Sequence, residues 1–212
     1  MDAKSGTVYV IDDDASVRRG LTCLLQSVGW TVESFASGRE FLEDATEDCI
    51  GCILLDVSMP DMTGPELHDR LRARGCTLPV IYLSGQATVS IGVRAMRIGA
   101  YDFLEKPIDD EALLSAVGIA VARRQQARLE ENQLDEIRQR LGQLSPRERE
   151  VMDQVIQGRL NKQIAGNLDI GVKTVKVHRA RAMSKMKVRS VAELVHLCDT
   201  LDLGRPEGSG KA

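Results

Sequence analysis

Five short apolar runs, each separated from the next by a stretch of helical periodicity, constrain this chain more than any other feature. The runs are TVYVI (7–11), TVESF (31–35), CILLD (52–56), PVIYLS (79–84) and AYDFL (100–104). Each has the length of a strand. Between them, apolar residues recur at helical spacing, as with Val17, Leu21, Leu24 and Leu25, or Leu67 and Leu71. Strands joined through helices pair in parallel, so the rhythm predicts an α/β fold: a (βα)5 doubly wound parallel sheet with helices on both faces. In such a sheet, ligands gather outside the carboxyl ends of the strands, where the strand order reverses.

Polar residues stand at those ends. The first run is followed by Asp12, Asp13 and Asp14, the third closes on Asp56, the fourth on Ser84, and the fifth is followed by Glu105-Lys106-Pro107. Adjacent carboxylates repel and raise one another's pKa, so such a cluster calls for a cation. Clustered hard oxygens suit Mg²⁺, which commonly uses one or two carboxylates and keeps several waters. A carboxylate beside that ion can act as a nucleophile toward a phosphoryl group. The Lys106 ammonium and Ser84 hydroxyl would then hold the new phosphoryl oxygens. Asp14, placed just before a helical pattern, reads as an N-cap.

Charge divides the chain. Residues 1–122 carry a net −9 and residues 143–205 a net +5, with +1 between them. The basic part is where a polyanionic partner is expected. Five cysteines and no apolar run of membrane-spanning length lead us to expect a cytoplasmic, reducing setting without membrane insertion. Cys49-Ile50-Gly51-Cys52 reads as strand-entry packing rather than a redox pair. Residues 109 to about 141 read as one helix whose Leu134, Ile137, Leu141 and Leu144 form a short 3-4-3 seam, compatible with a solvated spacer or a dimerising stripe.

The basic part has its own order. Ser145, Pro146 and Glu148 make a helix start closed by Gly158, NKQIAGNLDI (161–170) gives a short helix, Gly171 a turn, and residues 172–188 a longer basic helix. Two helices joined by a tight turn, the second basic, fit a helix-turn-helix with its second helix in the major groove. Val175, Ala182 and Met186 form a plausible buried stripe, while Lys173, Lys176, Arg179 and Lys187 fall largely opposite it. His178 reads as a packing or phosphate-contact residue.

VIDDD (10–14), LLDVSMPDMTG (54–64), YLSG (82–85) and FLEKP (103–107) together make residues 6 to about 122 resemble a response-regulator receiver domain. The resemblance implies that Asp56 accepts a phosphoryl from a sensor histidine kinase. It implies that Asp12, Asp13, Asp56 and the Ser58 carbonyl hold Mg²⁺, that Lys106 pairs with the phosphoryl, and that the Lys106–Pro107 bond is cis. Ser84 and Phe103 match the hydroxyl and aromatic that move on activation. Gly85-Gln86-Ala87 departs from the usual loop. LSPREREVM, Gly158, NKQIAGNL, TVKVH and KMKV resemble the LuxR/NarL-type DNA-binding domain. That implies four helices, a dimer on two-fold symmetric double-stranded DNA, base-facing Lys176 and Val177, and phosphate contacts from Lys162, Thr174 and Arg179. The next base-facing position is Ala180, which offers only apolar contact.

The whole chain is thus similar to the NarL/FixJ class of two-component response regulators, nearest the FixJ-like branch. The expected division is 1–122 receiver, 123–142 helical linker, 143–205 helix-turn-helix and 206–212 disordered tail. The expected protein is a cytoplasmic bacterial transcription regulator that dimerises on phosphorylation and works with RNA polymerase. One rival is a phosphohydrolase with an aspartyl-phosphate intermediate, disfavoured because Ser58 stands where its acid/base carboxylate would be. The other is a constitutive DNA-binding protein with a merely dimerising first domain.

Overall fold

The computed structural model describes Lys4 and residues 6–44, 50–85 and 99–201. Cys49, Gln86, Ala87, the helix expected between the fourth and fifth strands, and the tail at 206–212 lie outside them. Five strands, β1 (Thr7–Ile11), β2 (Thr31–Phe35), β3 (Gly51–Asp56), β4 (Val80–Ser84) and β5 (Asp102–Glu105), form one parallel sheet in the order β2-β1-β3-β4-β5. This is the doubly wound α/β architecture that the alternation of runs predicts.

The central strands are apolar throughout because both faces are covered. Successive side chains point to opposite faces. Val8, Val10, Cys52, Leu54, Ile81 and Leu83 therefore pack with Leu21 and Leu25 of α1 (Ala15–Ser27) and with Leu113, Val117 and Val121 of α4 (Asp110–Gly142). Tyr9, Ile11, Ile53, Leu55, Val80 and Tyr82 pack with Phe41 of α2 (Gly38–Asp44) and Leu67 and Leu71 of α3 (Gly64–Ala73). β5 begins two residues later than the sequence suggests and runs through Glu105, which makes Lys106 the first residue beyond it. Cys52 is fully buried and burial pushes its thiol up to about 12, so it is a packing residue.

The chain divides into two compact units, Met1–Arg128 and Leu129–Ala212. In the second, α5 (Pro146–Ile156), α6 (Asn161–Leu168), α7 (Val172–Lys185) and α8 (Val191–Thr200) surround a core containing Val151, Met152, Ile164, Val175, Met186 and Leu194. Three of the four seam residues join this core: Leu141 is buried in it, and Ile137 and, just past the end of the long helix, Leu144 pack against it. The helix expected over 172–188 ends earlier, because Lys187 turns left-handed (φ 56°) and Val188 N–H donates to the Met183 carbonyl at 3.1 Å. Among the described residues, no helix is long and apolar enough to cross a membrane.

One buried polar pair lies in the first unit. His68 on α3 and the Tyr82 hydroxyl on β4 share a hydrogen bond of 3.1 Å between Nδ1 and Oη, both side chains being almost fully enclosed. Burial, reinforced by Arg72 and opposed by Asp69, lowers the His68 pKa below the ordinary value. Below about pH 6.5 the unfolded chain therefore takes up a proton that the folded chain refuses, and stability falls as pH drops toward the depressed folded value. The urea midpoint of the first unit should drop between about pH 7.5 and pH 5.5. In His68→Gln that drop should shrink even though the variant starts less stable at the higher pH.

Candidate functional site

Strand ends and the turns after them build the acidic site. Asp12 follows β1 and is fully buried, Asp56 ends β3 and Ser84 ends β4, both enclosed, and Lys106 follows β5. The Lys106 main-chain N–H donates to the Ser84 carbonyl at 2.8 Å, which continues the ladder by one residue and sets the lysine beside the strand that carries the hydroxyl. Its ammonium donates to Asp12 Oδ2 and to Asp56 Oδ1, each at 2.6 Å. The remaining oxygens are also held. Asp14 N–H donates to Asp12 Oδ1 at 2.9 Å and Ser58 N–H to Asp56 Oδ2 at 2.7 Å.

Gly64 makes room for this arrangement. A Cβ there would stand 2.4 Å from the Asp56 carbonyl oxygen, so only glycine lets the start of α3 approach the strand end. Its N–H donates to the Val57 carbonyl at 3.0 Å. Thr63 and Glu66 then close a capping box on α3. Asp14 caps α1 as the sequence suggests, accepting from the Ser16 and Val17 amides, which hold its carboxyl below the usual range.

Burial pushes the Asp12 carboxyl above its ordinary pKa, and the Lys106 and Asp14 hydrogen bonds only partly offset it. Burial also works against the charged Lys106, but the bonds to Asp12 and Asp56 outweigh it and hold the ammonium protonated. Asp13 and Ser58 are exposed at the rim, and Phe103 is half-buried, paired in register with Tyr82 and packed on the α3-side core. Among the described residues, no three His, Cys, Asp or Glu side chains converge into a metal cage. Two carboxylates with main-chain carbonyls and waters nevertheless match the way Mg²⁺ is usually held. Asp12 and Asp56 already share one cation, so their oxygens are near enough to share another.

In the second unit, Val175, Ala182 and Met186 are buried, while Lys173, Thr174, Lys176, Ala180 and, on α6, Lys162 are exposed. Val177 stands 48% exposed on the same helix. Arg179 is half-buried, its Nη1 donating to Asn161 Oδ1 at 2.9 Å, so it ties α7 to the start of α6. His178 is half-buried with Nδ1 enclosed. The far end of α7 is anchored too. Lys185 donates to buried Glu148 at 2.6 Å and to the Gln143 carbonyl at 3.0 Å, and that ammonium holds the Glu148 carboxyl down at about 2.

Three partnerships escaped the sequence reading. The double hold of Lys106 on Asp12 and Asp56 joins residues far apart in the chain. His68 falls beside Leu67 and Leu71 on α3, a signal of burial but not of its tyrosine partner. Arg18, one turn into α1, donates from Nη1 to the carbonyls of Asp12 and Asp13.

Residues 8–118 match the family described as "Response regulator receiver domain", and residues 142–198 match "Bacterial regulatory proteins, luxR family". The chain is 43% identical to the transcriptional regulatory protein FixJ of Azorhizobium caulinodans, over 90% of each chain. It is 39% identical to the response regulator protein TodT of Pseudomonas putida, over 95% of this chain and 88% of TodT. Among solved structures, response regulator StyR is 44% identical with a TM-score of 0.83, covering 91% of this chain and 98% of that one. Full-length FixJ from B. japonicum is 39% identical with a TM-score of 0.59, over 95% and 99%.

Lys106→Met should destabilise the first unit by about 2 kcal/mol at neutral pH, because it leaves two enclosed carboxylates without their cation. The loss should shrink toward pH 5, since the variant's raised Asp12 pKa lets the folded state take up a proton before the unfolded one does. Urea titrations at both pH values check this, and equal losses would show that the ammonium acts by packing alone.

Proposed function

This chain belongs to the response regulators that join a receiver domain to a LuxR-type DNA-binding domain, as FixJ-like and TodT-like transcriptional regulators do, and we propose that phosphorylation of Asp56 switches its binding to DNA. The observation that carries the reading is the Lys106 ammonium held by both Asp12 and Asp56. It supports reading Asp56 as an acceptor carboxylate, since the developing phosphoryl charge would have a counter-cation already in place. A phosphohistidine on a sensor histidine kinase is the donor. Asp56 Oδ1 attacks phosphorus, the P–N bond breaks, the imidazole leaves and takes up a proton, and an acyl phosphate remains. Asp12, Asp13, Asp56 and the Ser58 carbonyl would hold Mg²⁺, which when bound would supply positive charge near the phosphoryl oxygens. Lys106 keeps its proton and pairs with the phosphoryl. The Ser84 hydroxyl turns toward it and Phe103 moves inward against Tyr82.

Repacking of the face formed by β5 and the helix expected before it favours a homodimer, and two tethered helix-turn-helix domains then bind a two-fold symmetric operator far better than one, through effective concentration. On DNA, Lys176 and Val177 face bases, Ala180 gives an apolar contact, and Lys162, Thr174 and Arg179 meet phosphates. Asn161 takes one Arg179 nitrogen and leaves the rest of the guanidinium for this role. We assign residues 1–122 to the receiver, 123–142 to the linker and 143–205 to DNA binding, with 206–212 as a tail. The setting is the bacterial cytoplasm and RNA polymerase is the further partner. The protein is a regulator that accepts and slowly loses its phosphoryl, not a turnover enzyme.

Intact-mass analysis after incubation with acetyl phosphate should give one phosphoryl adduct that requires Mg²⁺ and is lost in Asp56→Asn. An adduct that survives this substitution would remove Asp56 from its role. On operator DNA, Lys162→Ala should weaken binding alike for all sequences and reduce the salt slope by about one. Lys176→Ala should instead cost about 1–3 kcal/mol on the preferred site and relax the preference at one base pair, read by binding to a set of single-base operator variants.

A further inference from the structure

The main chain that carries Asp12 and Asp13 is held by a side chain that the phosphoryl chemistry leaves unused. Arg18 lies in α1 one turn beyond the Asp14 cap, half-buried. Its Nη1 donates both hydrogens backward, to the Asp12 carbonyl at 2.7 Å and the Asp13 carbonyl at 3.0 Å. Asp14 N–H meanwhile donates to Asp12 Oδ1, and the Asp14 carboxylate accepts from Ser16 and Val17. The loop between β1 and α1 is therefore fixed at two carbonyls, one amide and two carboxylates. Arginine suits the task, since its planar fork directs hydrogens at fixed angles where lysine offers a single mobile centre.

We propose that Arg18 is a positioning residue for the divalent cation: by gripping the carbonyls of Asp12 and Asp13 it sets how their carboxylates face the site, and so sets cation affinity. The proposal rests on the reading of Asp12, Asp13 and Asp56 as the metal seat. Two effects of Arg18 oppose each other. Its positive charge repels a second cation, an effect that solvent and salt screen at a half-exposed guanidinium. Its hydrogen bonds remove freedom from the ligands before the ion arrives, and partners behind metal ligands are commonly worth about 10–100-fold in affinity. Ligand positioning is the larger effect, and the two have opposite signs when Arg18 is removed.

The test uses the full chain, with Mn²⁺ binding followed by electron paramagnetic resonance and Mg²⁺ measured by competition, in wild type, Arg18→Ala and Arg18→Lys. Arg18→Ala should bind Mn²⁺ about tenfold more weakly. The Mg²⁺ concentration for half-maximal adduct formation from acetyl phosphate should rise by the same factor, with the rate at saturating Mg²⁺ within about twofold of wild type. Arg18→Lys, which keeps the charge and loses the fork, should fall between the two. Unchanged or tighter binding in Arg18→Ala would overturn the proposal, since charge alone predicts it. Should Arg18→Ala not fold, Arg18→Lys decides: binding weakened by about threefold or more supports the proposal, and wild-type affinity overturns it. Wild type that binds neither ion would instead sink the metal seat itself, and the proposal with it.

Discussion

Two enclosed carboxylates, Asp12 and Asp56, can stand at adjacent strand ends only because one ammonium reaches both. Much of the first unit can be understood as what it takes to deliver that ammonium. β1 and β3 must be neighbours in register so that Asp12 and Asp56 emerge on the same edge, and they pair directly. β4 and β5 must follow in order so that Lys106 emerges one residue beyond the sheet, tied to the main chain of Ser84. The apolar strands contribute by burying the residues up to that edge and no further, so polarity begins where the ladder ends. Charge balance at the edge is therefore a product of topology rather than of local sequence.

The second unit solves a different problem, which is to hold a basic helix outward without burying its charges. α7 buries Val175, Ala182 and Met186 on one side. At its middle Arg179 reaches back to Asn161, and at its end Lys185 grips buried Glu148 and the Gln143 carbonyl. The second contact spends a whole cation on the protein and the first only one guanidinium nitrogen, while Lys173, Lys176 and Arg181 are exposed. The helix is thus fixed in rotation as well as in position, which a surface that reads bases requires.

Most of the fold was legible in the sequence because burial on both faces leaves uninterrupted apolar runs, and because those runs stop at polar residues. The acidic site was legible for the same reason: Asp56 and Ser84 close their runs, and Lys106 comes two residues after the last one. What escaped were contacts that no spacing encodes. Arg18 meets main-chain carbonyls, which every residue possesses, so nothing in its neighbours announces the contact. The partner of His68, Tyr82, lies on a strand fourteen residues further along the chain. The seam of Leu134, Ile137, Leu141 and Leu144 was legible as apolar but not in its destination, since periodicity marks a buried face without saying what buries it.

That destination bears on how such proteins are recombined. Ile137 and Leu141 belong to the core of the DNA-binding unit although they precede its first compact helix in the chain. A chimaera that exchanged receivers at residue 143 would supply these core positions from the donor's linker, and would inherit any mismatch of volume there. A junction near residues 128 and 129, where the two compact units divide, keeps the whole core in one parent. Domain shuffling in this architecture is thus governed by the inside of a helix rather than by the loop that follows it.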